Sequence, residues 1–289
     1  MDIIRDSLDL IGNTPLLLVK NLDTGPCNLY LKLESYNLGG SIKDRPAKNM
    51  IIEAEKKGLL KKGGTIVEAT AGNTGIALAI MAVKRGYKVV IIVPDKMTIE
   101  KVYHLKALGA EVIVARSDVV NGHPEYYLEI AKKIAKERKA FYINQFSNQN
   151  NIKSHIKDLG PEIYKQLNGK IHAFVAGVGT GGTISGIGKF LKSKNKKCEL
   201  VLADPKGSIL KDLIKTGKIN KNVGSWIVEG IGEDFCPPLL DTNLIDHAYS
   251  ISDFEAIDSC RKLLKNEGIL AGSSSGTLLA TALKFCKSQ

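Results

Sequence analysis

Lys43 occupies a position in this sequence at which a lysine is unusual. It follows two glycines and a serine in GGSIKDRPAKNM (39–50). A helix is predicted to begin directly after it, because apolar residues recur there at helical spacing: Ala47, Met50, Ile51 and Ala54. The partial positive charge of a helix N-terminus disfavours another cation, and burial does the same. Both effects favour a neutral, nucleophilic amine at Lys43.

The neighbours of Lys43 indicate where that helix begins and ends. Asp44 can cap its first turn, Pro46 is tolerated there, and Gly58 is a plausible stop. An ordinary exposed loop lysine is the alternative interpretation of Lys43. Which of the two applies depends on the chemistry that the rest of the chain supplies.

A glycine-rich loop, AFVAGVGTGGT (173–183), is a candidate anion site. A strand runs into a tight turn, and the amphipathic segment ISGIGKFLKS follows. Backbone N–H groups at the start of that helix would converge on one place and bind a phosphate: those of Gly179, Thr180, Gly181, Gly182 and Thr183. The loop is not a P-loop, because no GK[ST] follows, and it lacks the dinucleotide fingerprint. A purely structural turn is the alternative.

Two further loops have the same strand, polar turn and helix pattern. EATAGNTGIALA (68–79) presents Thr70, Asn73 and Thr74 as donors to a carboxylate or a ring oxygen. GILAGSSSGTLLA (268–280) places three serines at the entrance of an apolar helix, where one could be an N-cap. With Lys43, these loops suit a ligand that has a phosphate, a polarisable ring and a carbonyl group. Pyridoxal phosphate has all three.

The elements that must position these loops alternate along the chain. Near-continuous apolar strands are predicted at TIVEA (65–69), YKVVIIVP (87–94) and EVIVA (111–115), and the same pattern returns in HAFVAGVGTGG (172–182) and ELVLADP (199–205). Amphipathic helices separate them, which predicts parallel strands covered on both faces and an α/β fold. The polar run NQFSNQNNIKSH (144–155) is the predicted crossing between two lobes, and it could also line a cleft.

The composition of the chain argues against several classes of protein. The formal charge is +11 over 289 residues, but the lysines are spread without aromatic residues between them, which does not favour nucleic-acid binding. The positive electrostatic field of the protein could instead help gather anionic ligands. The five cysteines are scattered and predicted to be reduced thiols, and no Cys or His spacing predicts a metal site. No apolar run reaches membrane-spanning or signal-peptide length, so a cytoplasmic protein is expected.

Taken in order, the motifs resemble those of the fold-type II pyridoxal-phosphate enzymes, in particular the cysteine synthase and cystathionine β-synthase family. They are IGNTPL (11–16), SIKDR, TAGNTG, NQFSN, GVGTGGT, VEGIG (228–232) and GSSSG. The resemblance implies a two-lobed fold like that of tryptophan synthase β, each lobe a mostly parallel sheet flanked by helices. Residues 42–147 would form the smaller lobe, with the lysine and carboxylate loops. Residues 1–41 and 148–289 would form the larger lobe, with the phosphate and serine loops.

The same resemblance implies a role for each matching position. Lys43 would bind the cofactor covalently and act as the catalytic base. The remaining cofactor contacts would come from the phosphate loop Gly179–Thr183, from Asn73 to the ring hydroxyl, from Gly230, and from Ser274 to the pyridine nitrogen. The amino-acid carboxylate would be bound by Thr70, Ala71, Gly72, Asn73, Thr74 and Gln145.

The implied reaction is a β-replacement. A hydroxyl at Ser274 cannot keep the pyridine nitrogen protonated as a carboxylate would, which suits prompt loss of a β-substituent. ADPKGSIL (203–210) and VEGIGEDF (228–235) resemble cystathionine β-synthases, so L-serine and L-homocysteine are expected to give L-cystathionine and water. A cysteine synthase using O-acetyl-L-serine and sulfide is the alternative. A binding or scaffold protein that resembles these enzymes is the non-enzyme alternative.

Two positions depart from the family pattern. Ala71 stands where serine is usual, which removes a hydroxyl from the carboxylate clamp. Glu233 stands where animal cystathionine β-synthases carry an aromatic hydroxyl, and we hypothesise that it binds the homocysteine ammonium; a solvated surface acid is the alternative. The resemblance also leads us to expect a homodimer, no haem, and no C-terminal regulatory domain.

Overall fold

The computed structural model describes residues 3–70, 72–119, 122–219 and 223–289. The chain forms two compact units. Unit 1 comprises Met1–Thr14 and Glu34–Ser154, and unit 2 comprises Pro15–Leu33 and His155–Gln289. The boundary at residues 154 and 155 falls inside the polar stretch 144–155, where a crossing is predicted. The second segments of the two units begin at 34 and 155, whereas the predicted lobes change at 42 and 148, and residues 1–14 belong to unit 1 and not to the unit that holds most of the predicted larger lobe. The division of functions between two lobes stays a prediction.

Strands and helices alternate along most of the chain. The strands are β1 Leu16–Leu18, β2 Tyr30–Lys32, β3 Thr65–Ala69, β4 Lys88–Pro94, β5 Glu111–Ala115, β6 Phe141–Tyr142, β7 Ala173–Gly177, β8 Glu199–Pro205 and β9 His247–Ile251. The helices are α1 Asp44–Lys56, α2 Asn73–Arg85, α3 Ile99–Ala107, α4 Tyr127–Glu137, α5 Gln149–Ser154, α6 Gly160–Gln166, α7 Gly182–Lys194, α8 Leu210–Thr216, α9 Asp253–Glu267 and α10 Ser273–Lys287.

Unit 1 is built on a parallel sheet in the order β5-β4-β3-β6. Side chains alternate between its faces, because successive residues of a strand point to opposite sides. Ile66 and Ile91 belong to the core formed with α1 and α2. Val67 and Ile92 belong to the core on the opposite face, formed with α4. Both faces are therefore covered, as the continuous apolar strands predicted.

Unit 2 contains the parallel sheet β7-β8-β9 and the antiparallel pair β1-β2. Leu202 of β8 packs with Ile184 of α7 and Leu210 of α8. Ile251 at the end of β9 packs with Ala256 of α9 and Ala280 of α10. The α/β class predicted from the sequence is confirmed in both units.

Three structural features bear on the exclusions predicted from the sequence: membrane-spanning helices, metal clusters and cysteine pairing. Among the described residues, no helix is both long and apolar enough to cross a membrane. In the same part of the chain, no three or more His, Cys, Asp or Glu side chains are grouped so as to hold a metal ion. The five cysteines are free thiols, as predicted, and two of them, Cys198 and Cys286, are buried.

Candidate active site

Lys43 lies directly before the first residue of α1, as predicted. Its backbone is already helical, with φ −70° and ψ −16°, and its carbonyl accepts from the Ala47 N–H at 3.0 Å. Its own N–H donates to Ser41 Oγ at 3.2 Å. The side chain is half-buried. Lys43 is therefore held at a helix N-terminus by backbone hydrogen bonds on both sides.

Asp44 does not cap α1, which corrects the expected role. Its carboxyl group turns back instead, and Oδ2 accepts the Gly39 N–H at 2.5 Å. A Cβ on Gly39 would lie 2.6 Å from Asp44 Oδ1, so a larger residue there would displace this carboxyl group. Burial raises the pKa of Asp44 to about 6. The carboxyl group thus ties the double-glycine loop to the helix that carries the lysine.

A buried ion pair anchors the start of α1. The Arg45 guanidinium donates twice to Glu34, Nε to Oε2 and Nη2 to Oε1, both at 2.8 Å. Thr14, from the IGNTPL motif, donates its hydroxyl to Glu34 Oε1 at 2.6 Å. Fork-shaped pairing of this kind fixes orientation as well as distance. The segment around Glu34 and the first motif of the chain therefore fix the base of the helix that begins after Lys43.

The loop after β3 ends in an exposed helix N-terminus. The Thr70 N–H continues the sheet by donating to the Ile92 carbonyl at 2.9 Å, and Thr70 Oγ1 accepts the Gly72 N–H at 3.1 Å. No described side chain caps α2, whose N-cap is Gly72. Uncapped amides and the helix dipole suit an anion such as a carboxylate. Asn73 is exposed at this end, whereas Ala71 lies outside the described residues.

Gln145 reaches this loop because β3 and β6 are parallel neighbours. Their carboxyl ends meet at one edge of the sheet. The Thr74 hydroxyl donates to Gln145 Oε1 at 2.7 Å, and both residues are buried. The structure thus brings together two residues that the sequence assigns to the carboxylate clamp. Their contact with a substrate stays a prediction.

In unit 2, the loop after β7 contains the residues predicted to bind an anion. Gly181 is the N-cap of α7 with φ +83° and has no side chain to cap the helix, while Thr180 Oγ1 accepts the Gly182 N–H at 3.4 Å. A Cβ on Gly181 would lie 2.7 Å from the Leu240 nitrogen, and one on Gly179 would lie 2.7 Å from the Gly230 carbonyl oxygen. Close backbone approach therefore favours glycine at both positions, and the first amides of the helix suit an anion.

The segment 228–233 crosses the end of β7 beside this loop. The Gly232 N–H donates to the Val178 carbonyl at 2.8 Å. Gly230 has φ +80°, and a Cβ there would meet no atom within 4 Å, so its Cα borders open space. The Glu229 N–H donates to Ser273 Oγ at 3.2 Å, which joins this segment to the serine loop.

The three serines form the first turn of α10. The N-cap is Gly272, so the suggestion that one serine is an N-cap is wrong. Ser273 instead accepts from Glu229, while Ser274 is half-buried one residue further along the helix. The sequence reasoning singled out Ser274 and missed the structural role of Ser273.

Two other residues of these sites were missed. Buried His155 begins a π-helical turn, His155–Leu159, and its Nε2 lies 3.3 Å from the hydroxyl of Thr183 in the phosphate loop. Such turns are rare and often lie at functional sites. Glu68 is fully buried below the carboxylate loop. Its signal was present in the sequence, because it is the one charged residue in the largely apolar strand TIVEA; His155 gave no comparable signal.

Comparison with known proteins gives a decisive match. The family model for pyridoxal-phosphate dependent enzymes matches residues 8–289. The chain belongs to this family. Its cofactor is therefore pyridoxal phosphate, and the predicted family is confirmed.

Several pyridoxal-phosphate dependent enzymes are similar over almost all of the chain. Cystathionine β-synthase of Apis mellifera is 45% identical over 99% of this chain and 57% of its own length. The chain thus spans about half the length of such curated relatives. The O-acetylserine dependent cystathionine β-synthase of Bacillus subtilis is 41% identical, over 99% of this chain and 91% of its own. A solved hydrogen sulfide-producing enzyme of Fusobacterium nucleatum has a TM-score of 0.91 and 38% identity, over 99% of this chain and 93% of that chain.

The residues of each unit fit the cofactor of this family. In unit 2, the start of α7 offers backbone amides to a phosphate, and the glycines at 179 and 181 let the backbone approach closely there. In unit 1, Lys43 stands at a helix start whose dipole favours its neutral amine. The donor set therefore suits a phosphorylated aldehyde.

Proposed function

We propose that this protein catalyses a pyridoxal-phosphate dependent β-replacement in which L-serine and L-homocysteine give L-cystathionine and water. The observation that carries the proposal is that the chain has both a lysine directly before α1, in unit 1, and a glycine-formed loop suited to an anion at the start of α7, in unit 2. The similarity of the chain to the cystathionine β-synthase of Apis mellifera supports cystathionine as the product. A binding or scaffold protein would not need a half-buried lysine at a helix N-terminus.

The chain's own residues would divide the work as follows. Lys43 binds the cofactor through Nζ, and the amides of Gly179–Thr183 bind its phosphate. Once bound, pyridoxal phosphate withdraws electrons from the amino acid, which acidifies its Cα proton and weakens its bond to the β-substituent. Lys43 Nζ then takes the Cα proton and later returns it. The neutral hydroxyl of Ser274 and the side chain of Asn73 orient the ring.

The loop at the start of α2 would bind the carboxylate of the amino acid. Its anion-binding groups are the backbone amides that follow Gly72, helped by the hydroxyl of Thr70. Thr74 and Gln145 lie behind them and bond to each other. Without a hydroxyl at Ala71, we expect this clamp to depend more on backbone amides than it does in relatives with serine there.

Glu233 is the residue we propose for recognising the second substrate. A Cβ built on Gly179 would lie 3.9 Å from Glu233 Oε1, so this half-buried carboxylate stands beside the phosphate loop. Its backbone is fixed, because its N–H donates to Ser208 Oγ and its carbonyl accepts from the same hydroxyl, both at 3.1 Å. A carboxylate here can pair with the ammonium of homocysteine, a group that sulfide lacks. This favours homocysteine over sulfide.

The donor amino acid is less constrained than the thiol. The Bacillus subtilis relative is described as O-acetylserine dependent, and O-acetyl-L-serine is therefore the second donor to test. Cysteine synthesis from O-acetyl-L-serine and sulfide is the alternative function. We also expect a homodimer, which light scattering after size exclusion would test.

The test is a matrix of two donors and two thiols. Cofactor-loaded protein is incubated with L-serine or O-acetyl-L-serine and with L-homocysteine or sulfide, and products are identified by mass. Lys43→Ala should lose all turnover. Lys48→Ala is the matched control, because this lysine of the same helix donates to the Leu8 carbonyl and has no assigned role in the reaction. Cystathionine from L-serine supports the proposal; cysteine alone replaces it with the alternative, and no product from any pair overturns it.

A further inference from the structure

Glu68 is a fully buried carboxyl group that the proposed reaction does not use. It lies in β3, paired in register with Ile91 of β4. By strand alternation its side chain shares the face of Ile66, which belongs to the apolar core with α1 and α2. A carboxyl group in such surroundings is costly unless hydrogen bonds compensate for its lost hydration. Its position therefore calls for an explanation.

The hydrogen bonds of Glu68 run to the two loops at the carboxyl edge of the sheet. Oε2 accepts the Gln145 N–H at 3.3 Å, and the nearby backbone N–H groups of Ala69 and Asn144 favour its ionised form. Gln145 in turn accepts from the Thr74 hydroxyl at 2.7 Å. Glu68 thus links the loop after β3 to the loop after β6. Its other oxygen, Oε1, has no hydrogen-bond partner among the described residues.

We propose that Glu68 is a positioning residue: as a neutral carboxylic acid it holds Gln145 behind the Thr70–Thr74 loop, and so keeps that loop arranged for the carboxylate of the amino acid. This inference rests on the proposed function, because it assigns the loop to substrate binding. Oε2 acts as the acceptor and Oε1 carries the proton. Loss of that proton would leave a negative Oε1 in an apolar core without a donor.

The surroundings of the group favour the neutral form. Burial outweighs the backbone N–H groups that favour ionisation, and the pKa of Glu68 is raised to about 8. Tyr142 on β6 packs on the opposite face of the sheet with Val67, and burial together with Glu68 and Glu129 of α4 raises the pKa of that phenol too. Tyr142 is therefore uncharged over the pH range of interest. The residue paired with Glu68 on β4, Ile91, carries no charge.

The experiment compares Glu68→Gln, Glu68→Leu and the wild-type holoenzyme from pH 6 to 9.5. The readouts are the KM and kcat for L-serine, the absorbance change on binding L-serine alone, and the thermal midpoint. Glu68→Gln keeps an acceptor but cannot ionise, whereas Glu68→Leu leaves the Gln145 N–H without an acceptor. Thr281→Val is the control, since Thr281 is a fully buried α10 residue whose Oγ1 has no partner in the described part of the chain.

The inference predicts a specific pattern. Above pH 8 the wild-type KM rises faster than that of Glu68→Gln, by up to roughly tenfold per pH unit. At pH 7 Glu68→Leu raises KM by roughly five- to 150-fold, the effect of one unsatisfied buried donor, with a smaller change in kcat. Thr281→Val shifts the thermal midpoint without changing KM. If Glu68→Leu does not fold, the comparison of Glu68→Gln with wild type still decides.

The thermal midpoint separates this inference from the proposed function. Unfolded Glu68 ionises near its ordinary value of 4.5, while the folded group keeps its proton to about pH 8. The wild type therefore loses stability relative to Glu68→Gln as pH rises through that window. The thermal midpoints of the wild type and Glu68→Gln could diverge in this way although no substrate pair reacts. In that case the proposed function is wrong, but the assignment of Glu68 as a neutral carboxylic acid is supported. Parallel KM and midpoint profiles for the wild type and Glu68→Gln overturn the inference.

Discussion

Replacing Gly179 with alanine tests the phosphate loop directly. The added Cβ would lie 2.7 Å from the Gly230 carbonyl oxygen, well inside the 3.4 Å at which ordinary contact begins. Because the obstructing oxygen belongs to the backbone, it cannot rotate away as a side chain could. Either the segment of Gly179 or that of Gly230 must therefore move by several tenths of an ångström. A shift of this size stretches a short amide hydrogen bond toward its useful limit of about 3.5 Å.

The expected effect of Gly179→Ala is weaker cofactor binding. Loss of one hydrogen bond to a charged phosphate costs about 1.5–3 kcal/mol, which raises the Kd of pyridoxal phosphate roughly ten- to 150-fold. The cofactor is removed, and its rebinding is followed by absorbance titration. Gly64→Ala is the matched control, because its Cβ would lie 2.8 Å from another backbone carbonyl oxygen, that of Lys61, before β3. If Gly179→Ala binds the cofactor as tightly as wild type, or if Gly64→Ala loses as much, the reasoning is refuted.

Three other predictions follow from single contacts. Arg45→Met removes one partner of the buried pair with Glu34 and should destabilise the fold by about 3–5 kcal/mol in chemical denaturation; a change within error would contradict the anchoring role. Gly276→Ala would place a Cβ 2.0 Å from the Ala256 carbonyl oxygen, and overpacking between α9 and α10 should lower stability by about 1–3 kcal/mol in the same assay. Glu233→Gln should raise the KM for homocysteine while leaving that for the amino-acid donor unchanged, and an unaltered homocysteine KM would remove Glu233 from the proposal.

The parts of the fold that could be predicted are those whose residue types match the environment that they occupy in the structure. The predicted strands 65–69, 111–115 and 199–205 agree with β3, β5 and β8 to the residue. Each is an apolar or β-branched run that is paired with a parallel neighbour in the structure. The two-residue strand β6 and the half-buried strand β9 were not predicted, because their own side chains give little signal. Pairing with a neighbouring strand, rather than their own sequence, determines that these two segments are strands.

For the candidate site, the sequence located the loops better than the contacts of their side chains. Glycines at 179, 181 and 230 were recognised, since close backbone approach and positive φ restrict the choice of residue. Asp44 was expected to cap a helix, but its carboxyl group bonds to Gly39. Contacts between distant segments, such as that of Glu68 with Gln145, depend on which strands are neighbours. Sequence spacing alone does not contain that information.

Covalent trapping is the most direct test of the central claim, that Lys43 carries the cofactor. The cofactor-loaded protein is reduced with borohydride, digested and mapped by mass spectrometry. The account predicts a phosphopyridoxyl group on Nζ of Lys43, and its loss in Lys43→Ala. A label on another lysine, or no label in protein that retains the cofactor, would contradict it.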